Sequence, residues 1–320
     1  MNAPVADTYV SIVVLVRDHA GRIMSFVEQV TTCLKARYSN FEVILVDDGS
    51  ADQSKLECMK ALSTYEGVRL IEFSRNFGDE AAYRAGLDNA IGDVVVTISI
   101  DHESPSVIPM MVSACVGSAG ITAGITEPSE PPGWFRRSCS ERYHRFLRDS
   151  LRVDAVPGAT YCWAISRTAV NSLLAHQGVP RLLGLNLAQL GIPVVAVDLS
   201  FCPGVRPRRR VLLYDILRGL SVVLAHSRAP FRILFLAANL LLVGLFSWLV
   251  FSSNIPNEMR GVGLTFIAGQ MLLSAAFWAF WEYLIRNLQS MTRGASYVII
   301  NEFSSGSFTR NIDRRNIVKE

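Results

Sequence analysis

A short apolar strand that ends in an acid constrains this chain more than any other stretch. Val94 to Thr97 are all β-branched, and such a run is typical of a strand buried on both faces of a parallel sheet. Ser99, Ile100 and Asp101 follow, so a carboxylate stands at the carboxyl end of a central strand. Ligands bind at that edge of open α/β sheets. The stretch therefore predicts an α/β domain with Asp101 at its ligand-binding edge.

Three strand-type segments precede this stretch, and each is an apolar run followed by polar residues: Tyr9 to Val16, Phe41 to Val46 and Val68 to Phe73. The second runs into Asp47 and Asp48, and the third is followed by Arg75 and Asn76. A guanidinium at this edge is suited to pair with a diphosphate. Taken alone, the acidic pair is equally explained by an ordinary capped turn, and Arg75 is better explained as a solvated surface arginine. Together the units predict a doubly wound α/β half.

The rest of the soluble part continues the α/β pattern. We predict further strands within Val116 to Thr126, over Gly158 to Ser166 and over Val194 to Phe201. Trp134 to Leu151 has the pattern of a basic amphipathic helix, which favours a position in the lipid headgroup layer. A helix on the surface of the soluble domain is the alternative. The six cysteines include no CxxC pair, so a cysteine metal site is not indicated.

Two apolar stretches near the C-terminus predict transmembrane helices. Neither Ile233 to Phe251 nor Gly261 to Trp281 contains a charged residue, and each stretch is long enough to cross a bilayer. Two buried core helices are the alternative. Seven arginines lie between Phe201 and Arg232 and six basic residues follow Trp281, whereas the connector 252–260 has only Arg260. The positive-inside rule then places both termini in the cytoplasm.

These patterns predict five regions: a cytoplasmic domain 1–202 with an interfacial helix near 134–151, a basic juxtamembrane segment 203–232, transmembrane helices 233–251 and 261–281, and a cytoplasmic tail 282–320.

Three motifs carry a resemblance to a known family. They are the runs VILVDDGSADQS and EFSRNFGDEAAYRAGLDNAIGDVVVTISID, and the HSRAPFRI entry into the predicted spans. The chain resembles the bacterial polyprenyl-phosphate glycosyltransferases, the membrane branch of the inverting family-two glycosyltransferases, and is similar to dolichol-phosphate mannose synthase. The resemblance implies an α/β fold of the nucleotide-diphospho-sugar transferase (GT-A) type, with a Rossmann-like domain followed by two transmembrane helices.

The resemblance also implies roles for particular residues. Asp47 and Asp48 match the acidic pair that contacts the nucleotide, and Arg75 and Asn76 join them in the predicted nucleotide-sugar site. Asp101 matches the last acid of the family's DxD motif, which meets a divalent metal and the diphosphate. Mg2+ or Mn2+ is the expected cofactor, because hard cations take carboxylate and phosphate oxygens.

Four arginines are predicted to hold the acceptor phosphate: Arg206, Arg208, Arg209 and Arg210. Positive-inside charge and attraction to anionic lipids explain the same arginine block equally well.

The chain departs from the family pattern at several positions. Ser99 stands where the first acid of DxD is usual, and Glu103 is predicted to supply the second metal-binding carboxylate, with His102 as an alternative ligand. The first strand runs into Arg17, Asp18 and His19 instead of the usual P-V-Y-N-E segment. The family's G-D-F-R-L stretch is replaced by 160–164, TYCWA.

Two functions are carried forward. The first is transfer of a sugar from a nucleotide sugar to a polyprenyl (undecaprenyl-type) phosphate at the cytoplasmic face of the bacterial inner membrane, for cell-envelope glycans. The alternative is a catalytically degenerate relative that acts as a binding or regulatory partner in the membrane. A polymer synthase of the same superfamily needs a QxxRW-type motif, which is not seen. The expected partners are the nucleotide sugar, the lipid and the membrane, with a homo-oligomer left open and no nucleic acid.

Overall fold

A computed structural model describes residues 7–118, 120–126, 156–175, 183–200, 257–291 and 297–305, with scattered positions between 134 and 149 and between 235 and 248. Two compact units are present, Met1–Leu212 with Ala295–Glu320, and Leu213–Gly294.

The described elements of the first unit alternate between strands and helices through most of its length. In chain order they are β1 Val10–Val16, α1 Ile23–Lys35, β2 Phe41–Asp47, α2 Ser54–Thr64, β3 Val68–Phe73, α3 Asp79–Asn89, β4 Val94–Ser99, a 3-10 turn Pro105–Val107, α4 Ile108–Ser118, β5 Ile121–Ile125, β6 Ala159–Ser166, α5 Arg167–Ala175, α6 Leu183–Gln189, β7 Val194–Asp198 and β8 Ile299–Ser304.

Within the described residues the strands form one eight-stranded mixed sheet, in the order β7-β5-β6-β4-β1-β2-β3-β8. Strand β1 is parallel to both β2 and β4, and β2 is parallel to β3. Strands β6 and β8 are antiparallel to their neighbours β4 and β3. The Rossmann-like α/β fold predicted from the sequence is therefore confirmed, as a mixed sheet.

The central strands are buried because helices cover both faces of the sheet. Every residue of β4 is buried, as a continuous apolar run predicts for a strand covered on both sides. Helix α1 presents its apolar residues at helical spacing toward one of the two cores, and all of them are at most 6% exposed: Ile23, Phe26, Val27, Val30 and Leu34. This packing holds the carboxyl ends of β1, β2 and β4 in register.

Two elements differ from the sequence prediction. The predicted strand within Val116 to Thr126 begins only at Ile121, because helix α4 continues to Ser118. Strand β8 was not predicted, since 282–320 was expected to form a tail. It is an edge strand with alternating exposure, and alternation is a weaker signal over six residues than a continuous apolar run.

Strand β8 is tied to the sheet through a buried ion-pair network. Arg69 of β3 donates to Glu42 of β2 at 2.9 Å and to Glu302 of β8 at 2.5 Å. Glu42 is fully buried and also accepts from the Ser11 hydroxyl at 2.6 Å. Further along, the Tyr297 ring stacks on Phe73 with centroids 5.2 Å apart. The chain that follows the long C-terminal helix thus becomes part of the sheet.

The second unit contains the longest described helix, α7 Asn257–Met291. Its segment Gly261–Trp281 is long and apolar enough to cross a membrane, and it is the one such helix in the described part of the chain. Exposed apolar side chains include Leu272 at 74% and Leu273 at 69%. The predicted first span, Ile233 to Phe251, is described only in part, and its described positions 235, 237–244, 247 and 248 are helical, so the two-span topology stays a prediction. The same holds for the segment 203–232.

Candidate active site

The carboxyl ends of β1, β2 and β4 lie side by side and form the floor of a candidate site. In the parallel register, Val16 is paired with Asp47, and Leu15 is paired with Ser99. The residues that follow these strands therefore meet at one edge of the sheet, as the sequence predicts. We call this edge, with the loops 17–22, 47–50, 74–78 and 99–103, the rim.

Asp47 builds the turn that follows β2. Its Oδ1 accepts hydrogen bonds from the Ser50 backbone N–H at 3.0 Å and from the Ser50 hydroxyl at 2.5 Å. Only 2% of the residue is exposed, and burial raises the pKa of Asp47 despite these two hydrogen bonds. The predicted nucleotide contact is thus a buried carboxylate that is engaged in shaping the rim.

Asp48 connects two loops of the rim. It is fully buried, and its two oxygens accept the backbone N–H groups of Phe77 at 2.6 Å and Gly78 at 2.9 Å. Burial raises the pKa of Asp48, while these N–H donors act in the opposite direction. Both oxygens accept backbone N–H groups, so Asp48 holds the loop that carries Arg75 and Asn76.

The close approach of these loops requires glycine at position 49. Gly49 has φ +66°, and a Cβ placed there would lie 2.6 Å from the Arg75 carbonyl carbon and 2.8 Å from the Asn76 backbone nitrogen. Arg75 and Asn76 are themselves exposed at the rim. The Arg75 guanidinium lies over the Phe77 ring, 4.7 Å from its centroid. The structure therefore brings Arg75 and Asn76 to the edge where the sequence predicts a donor site.

Asp101 lies at the rim in a cluster of three charged or polar side chains that we call the Asp101 clamp: His19, Arg22 and Asp101. Its Oδ1 accepts a hydrogen bond from Arg22 Nη1 at 2.6 Å, and its Oδ2 is 2.8 Å from His19 Nε2. Burial raises the pKa of the carboxyl, but the hydrogen bonds from His19 and Arg22 and the charge of Arg22 outweigh it, and the pKa of Asp101 is lowered. Asp101 is thus held as a carboxylate.

The hydrogen bonds of His19 indicate which of its ring nitrogens carries the proton. The backbone N–H of Arg17 donates to His19 Nδ1 at 3.0 Å. A neutral imidazole that accepts at Nδ1 carries its proton on Nε2, which then donates to Asp101. In this arrangement neither ring nitrogen of His19 has a lone pair directed at a ligand.

The loop that carries His19 and Arg22 is fixed to the start of helix α2. Asp18, at φ 52°, accepts from the Ala51 N–H at 2.9 Å, and the His19 N–H donates to the Ser54 hydroxyl at 2.8 Å. The Gly21 N–H donates to Glu57 at 2.6 Å. Sequence reasoning noted this loop only as a departure from the family. The usable signal was that β1 and β4 are neighbours, which brings the residues after Val16 close to those after Ser99.

Glu103, the second predicted metal ligand, is part of the interior. It is 4% exposed, and its Oε2 accepts the Ser99 backbone N–H at 2.9 Å. Burial raises the pKa of Glu103 to about 7, and the Ser99 N–H offsets part of that shift. Ser99, which replaces the usual first acid, accepts from the Asp101 N–H at 3.2 Å through its hydroxyl. Ser99 and Glu103 therefore shape the turn that presents Asp101.

The donor groups of the rim fit a cation that is held largely by a substrate. Among the described residues no group of three or more His, Cys, Asp and Glu side chains is placed to hold a metal ion. Asp101 is the member of the predicted pair that is accessible, with 47% of its side chain exposed. Mg2+ is commonly held by one or two carboxylates together with substrate phosphates. One carboxylate suits such a site and does not suit a cage made by the protein alone.

The stretch that replaces the family's G-D-F-R-L segment packs into the sheet. Trp163 is 4% exposed, and its indole N–H donates to the Thr160 carbonyl at 3.0 Å. The Tyr161 hydroxyl lies 3.2 Å from Asp79, and its ring stacks on Tyr83 with centroids 5.6 Å apart. These residues form part of the wall behind the rim. The predicted acceptor arginines 206 and 208–210 lie outside the described residues.

Comparisons with known proteins show to which family the chain belongs. The sequence model named Glycosyl transferase family 2 matches residues 12–174, just over half of the chain. The chain is 29% identical over 171 residues to the undecaprenyl-phosphate 4-deoxy-4-formamido-L-arabinose transferase of Aeromonas hydrophila, and that match covers 52% of each protein. The chain thus matches about half the length of this curated relative.

Among solved structures, glucosyl-3-phosphoglycerate synthase from Mycobacterium tuberculosis is similar. Its complex with Mn2+, UDP and glucosyl-3-phosphoglycerate gives a TM-score of 0.47 at 18% identity, covering 68% of this chain and 77% of that chain. Its complex with phosphoglyceric acid gives 0.48 at 17% identity with the same coverage. By the match of the family model to residues 12–174, the chain belongs to glycosyl transferase family 2.

Proposed function

We propose that this chain transfers a sugar from a nucleotide sugar to a polyprenyl phosphate at the cytoplasmic face of the bacterial inner membrane. Family membership and the relative that acts on undecaprenyl phosphate support the reaction class and the acceptor. The observation that carries the proposal is the rim, where the ionised Asp101 lies with Arg22, and where Arg75 and Asn76 are exposed beside the ends of parallel strands. Such an edge suits a nucleotide diphosphate.

The donor would be held by two exposed polar side chains, Arg75 and Asn76, in a loop that the buried Asp48 holds. Arg75 and Asn76 would contact the nucleotide diphosphate, since guanidinium groups bind phosphate oxygens with paired, charge-assisted hydrogen bonds. Asp48 would act through the loop it holds, because both of its oxygens accept backbone N–H groups. Asp47 would act through the turn that its Oδ1 holds by accepting the Ser50 N–H and hydroxyl.

A divalent cation, Mg2+ or Mn2+, would accompany the diphosphate. Asp101 would be its ligand from the protein, because this carboxylate is ionised and accessible. Glu103 is not proposed as a ligand, because it is buried and bonded to the Ser99 N–H. When bound, such a cation neutralises the negative charge that develops on the departing nucleoside diphosphate.

The acceptor needs little activation. A polyprenyl phosphate is already an anion, so an oxygen of it can attack the anomeric carbon without a strong general base. The bond between that carbon and the diphosphate oxygen then breaks, and the nucleoside diphosphate leaves with the electron pair. Attack from the side opposite the leaving group inverts the anomeric configuration. Arg206 and Arg208 to Arg210 are proposed to bind the acceptor phosphate, and the apolar segment Gly261–Trp281 is proposed to anchor the chain beside the lipid.

The proposal is tested by incubating the purified full chain in detergent with polyprenyl phosphate, Mg2+ or Mn2+ and a panel of nucleotide sugars. We expect one donor to give a glycolipid detectable by mass spectrometry. Asp101→Asn should abolish the product, whereas Glu66→Gln, an exposed carboxylate in the loop before β3 and distant from the rim, should retain it. Equal rates for Asp101→Asn and wild type would contradict the assignment of Asp101.

A second function, a binding partner without transferase activity, is favoured by one observation. Asp101 is the accessible member of the predicted pair of metal ligands, because Glu103 is buried. The usual first acid of the motif is also missing, since Ser99 stands at its position. A chain that binds a nucleotide sugar but forms no glycolipid with any donor of the panel would support this function and refute the enzyme.

A further inference from the structure

Each oxygen of the proposed metal-binding carboxylate already has a partner. In the Asp101 clamp, Arg22 Nη1 lies 2.6 Å from Asp101 Oδ1 and His19 Nε2 lies 2.8 Å from Oδ2. Arg22 Nη2 also donates to the Ile100 carbonyl at 2.6 Å. A cation that binds Asp101 is therefore in competition with a guanidinium that carries the same sign of charge.

The two partners of Asp101 differ in how readily they can leave. His19 has 11% of its side chain exposed and is held at its other ring nitrogen by the Arg17 N–H. Arg22 has 45% of its side chain exposed, and its bonds within the described chain go to Asp101 and Ile100. Exposed ion pairs are weak, so the Arg22 contact can be broken at small cost. Arg22 is thus the replaceable partner.

The backbone of the loop limits where the Arg22 guanidinium can go. The loop is pinned to α2 by the hydrogen bonds of Asp18, His19 and Gly21, and Arg22 immediately precedes helix α1. The Cα atom is therefore held while the long side chain retains its rotamers. A guanidinium released from Asp101 stays at the rim, where a diphosphate offers it better-matched oxygens.

We propose that Arg22 acts as the internal counter-ion of Asp101 when no donor is bound and moves onto the donor diphosphate when the donor and a divalent cation bind. This inference rests on the proposed function for the identity of the ligands, a nucleoside diphosphate group and Mg2+ or Mn2+. No covalent bond is made or broken in the exchange.

The exchange has a consequence for binding order. Without nucleotide, Asp101 is neutralised by Arg22, and a cation gains little from displacing it. With a diphosphate present, Arg22 and the cation each have an anionic partner, so nucleotide and cation strengthen each other's binding. Linkage requires the effect to be reciprocal.

The test is the affinity for Mn2+, measured from the free-ion signal in electron paramagnetic resonance, with the full chain in detergent. Without nucleotide, Arg22→Gln should bind Mn2+ about two- to five-fold more tightly than wild type, the range that an exposed ion pair represents. Arg17→Gln is the matched control, because Arg17 is an exposed arginine of the same loop with no bond to Asp101 from its side chain among those described. It removes the same charge and should change the affinity less.

The second half of the test adds UDP or GDP as the diphosphate probe. Arg22→Gln should bind the nucleoside diphosphate several-fold more weakly in the presence of Mn2+, and the coupling between the two ligands should shrink. Arg22→Lys, which keeps the charge but not the forked geometry, should give intermediate values. Thermal unfolding of each variant confirms that the fold is intact.

Two results would overturn the proposal. Equal Mn2+ affinities for Arg22→Gln and Arg17→Gln would show that only the local field matters, and an unchanged nucleotide affinity for Arg22→Gln would show that Arg22 does not move onto the diphosphate. These readouts involve no acceptor lipid and no turnover. Failure to form glycolipid, together with the expected binding results, would therefore refute the proposed function and leave the exchange supported. Glycolipid formation without the expected binding results would refute the exchange alone.

Discussion

Replacing Asp48 by asparagine separates a residue that shapes the rim from one that binds the nucleotide directly. The fully buried carboxylate accepts the N–H groups of Phe77 and Gly78 at 2.6 and 2.9 Å. An asparagine side chain has one acceptor oxygen, so its NH2 group would face one of these N–H donors. The lost hydrogen bond to a charged group corresponds to about 1.5–3 kcal/mol. The raised pKa of Asp48 shows that burial of the carboxylate has a cost which asparagine avoids, so we expect a net loss of about 2 kcal/mol in the free energy of unfolding.

The assay is thermal unfolding of the purified chain, monitored by circular dichroism, together with the affinity for UDP and GDP. A loss of this size in a domain of roughly 200 residues lowers Tm by about 4–8 °C. Nucleotide affinity should fall with it, because the loop that carries Arg75 and Asn76 loses its anchor. Asp7→Asn, an exposed acid before β1, serves as the control. A wild-type Tm combined with lost nucleotide binding would refute the reasoning and make Asp48 a direct ligand.

Four further predictions follow from the same structure. Gly49→Ala should lower the free energy of unfolding in denaturant by more than the about 1–3 kcal/mol of backbone strain at φ +66°, because the new Cβ would also lie 2.6 Å from backbone. Gly191→Ala, at φ +69° with no atom within 4 Å, should cost less. Equal losses for the two variants would contradict the clash. Arg69→Met should cost about 3–5 kcal/mol, because it leaves Glu42 buried without its ion-pair partner. Lys55→Met, which removes the half-exposed partner of Glu72, should cost at most about 1 kcal/mol, and similar losses for the two variants would refute the network. Burial raises the pKa of Cys115 from 9.0 to about 11, so the unfolded chain loses the thiol proton at a lower pH than the folded chain. The free energy of unfolding should therefore fall as the pH rises from 9.0 to about 11. Urea unfolding of Cys115→Val should lack this decrease, and a pH profile identical to that of wild type would count against the prediction. Replacing Arg208 and Arg210 together by glutamine should raise the KM for polyprenyl phosphate and leave that for the nucleotide sugar unchanged, and a shift in the nucleotide-sugar KM alone would move these arginines to the donor.

The parallel core of the fold could be predicted from the sequence because its strands are continuous apolar runs. Val94 to Ser99 can form only an interior strand, and an interior parallel strand places Asp101 at the edge where ligands bind. The edge strand β8 was missed because half of its residues face solvent and its partner β3 lies far away in the chain. No local pattern in Ile299–Ser304 reveals that Glu302 pairs with Arg69.

The chemical types at the rim could be predicted, but the direction of each side chain could not. Asp48 and Glu103 are acids next to strand ends, and such acids either face a ligand or accept backbone N–H groups of a neighbouring turn. The choice depends on the path of loops 74–78 and 99–103, which the side-chain pattern does not encode. Arg22 was overlooked for a similar reason, since 79 positions separate it from Asp101 and only the pairing of β1 with β4 brings them together.

The central claim is that the rim transfers a sugar to a lipid phosphate, and the most direct measurement is the stoichiometry of the two products. The purified chain is incubated with the best nucleotide sugar of the panel and Mg2+ or Mn2+, with and without polyprenyl phosphate, and nucleoside diphosphate and glycolipid are quantified in the same sample. We predict that they appear in equal amounts, only when the lipid is present, and with inverted anomeric configuration. Nucleoside diphosphate released at the same rate without the lipid, or no product with any donor, would contradict the account.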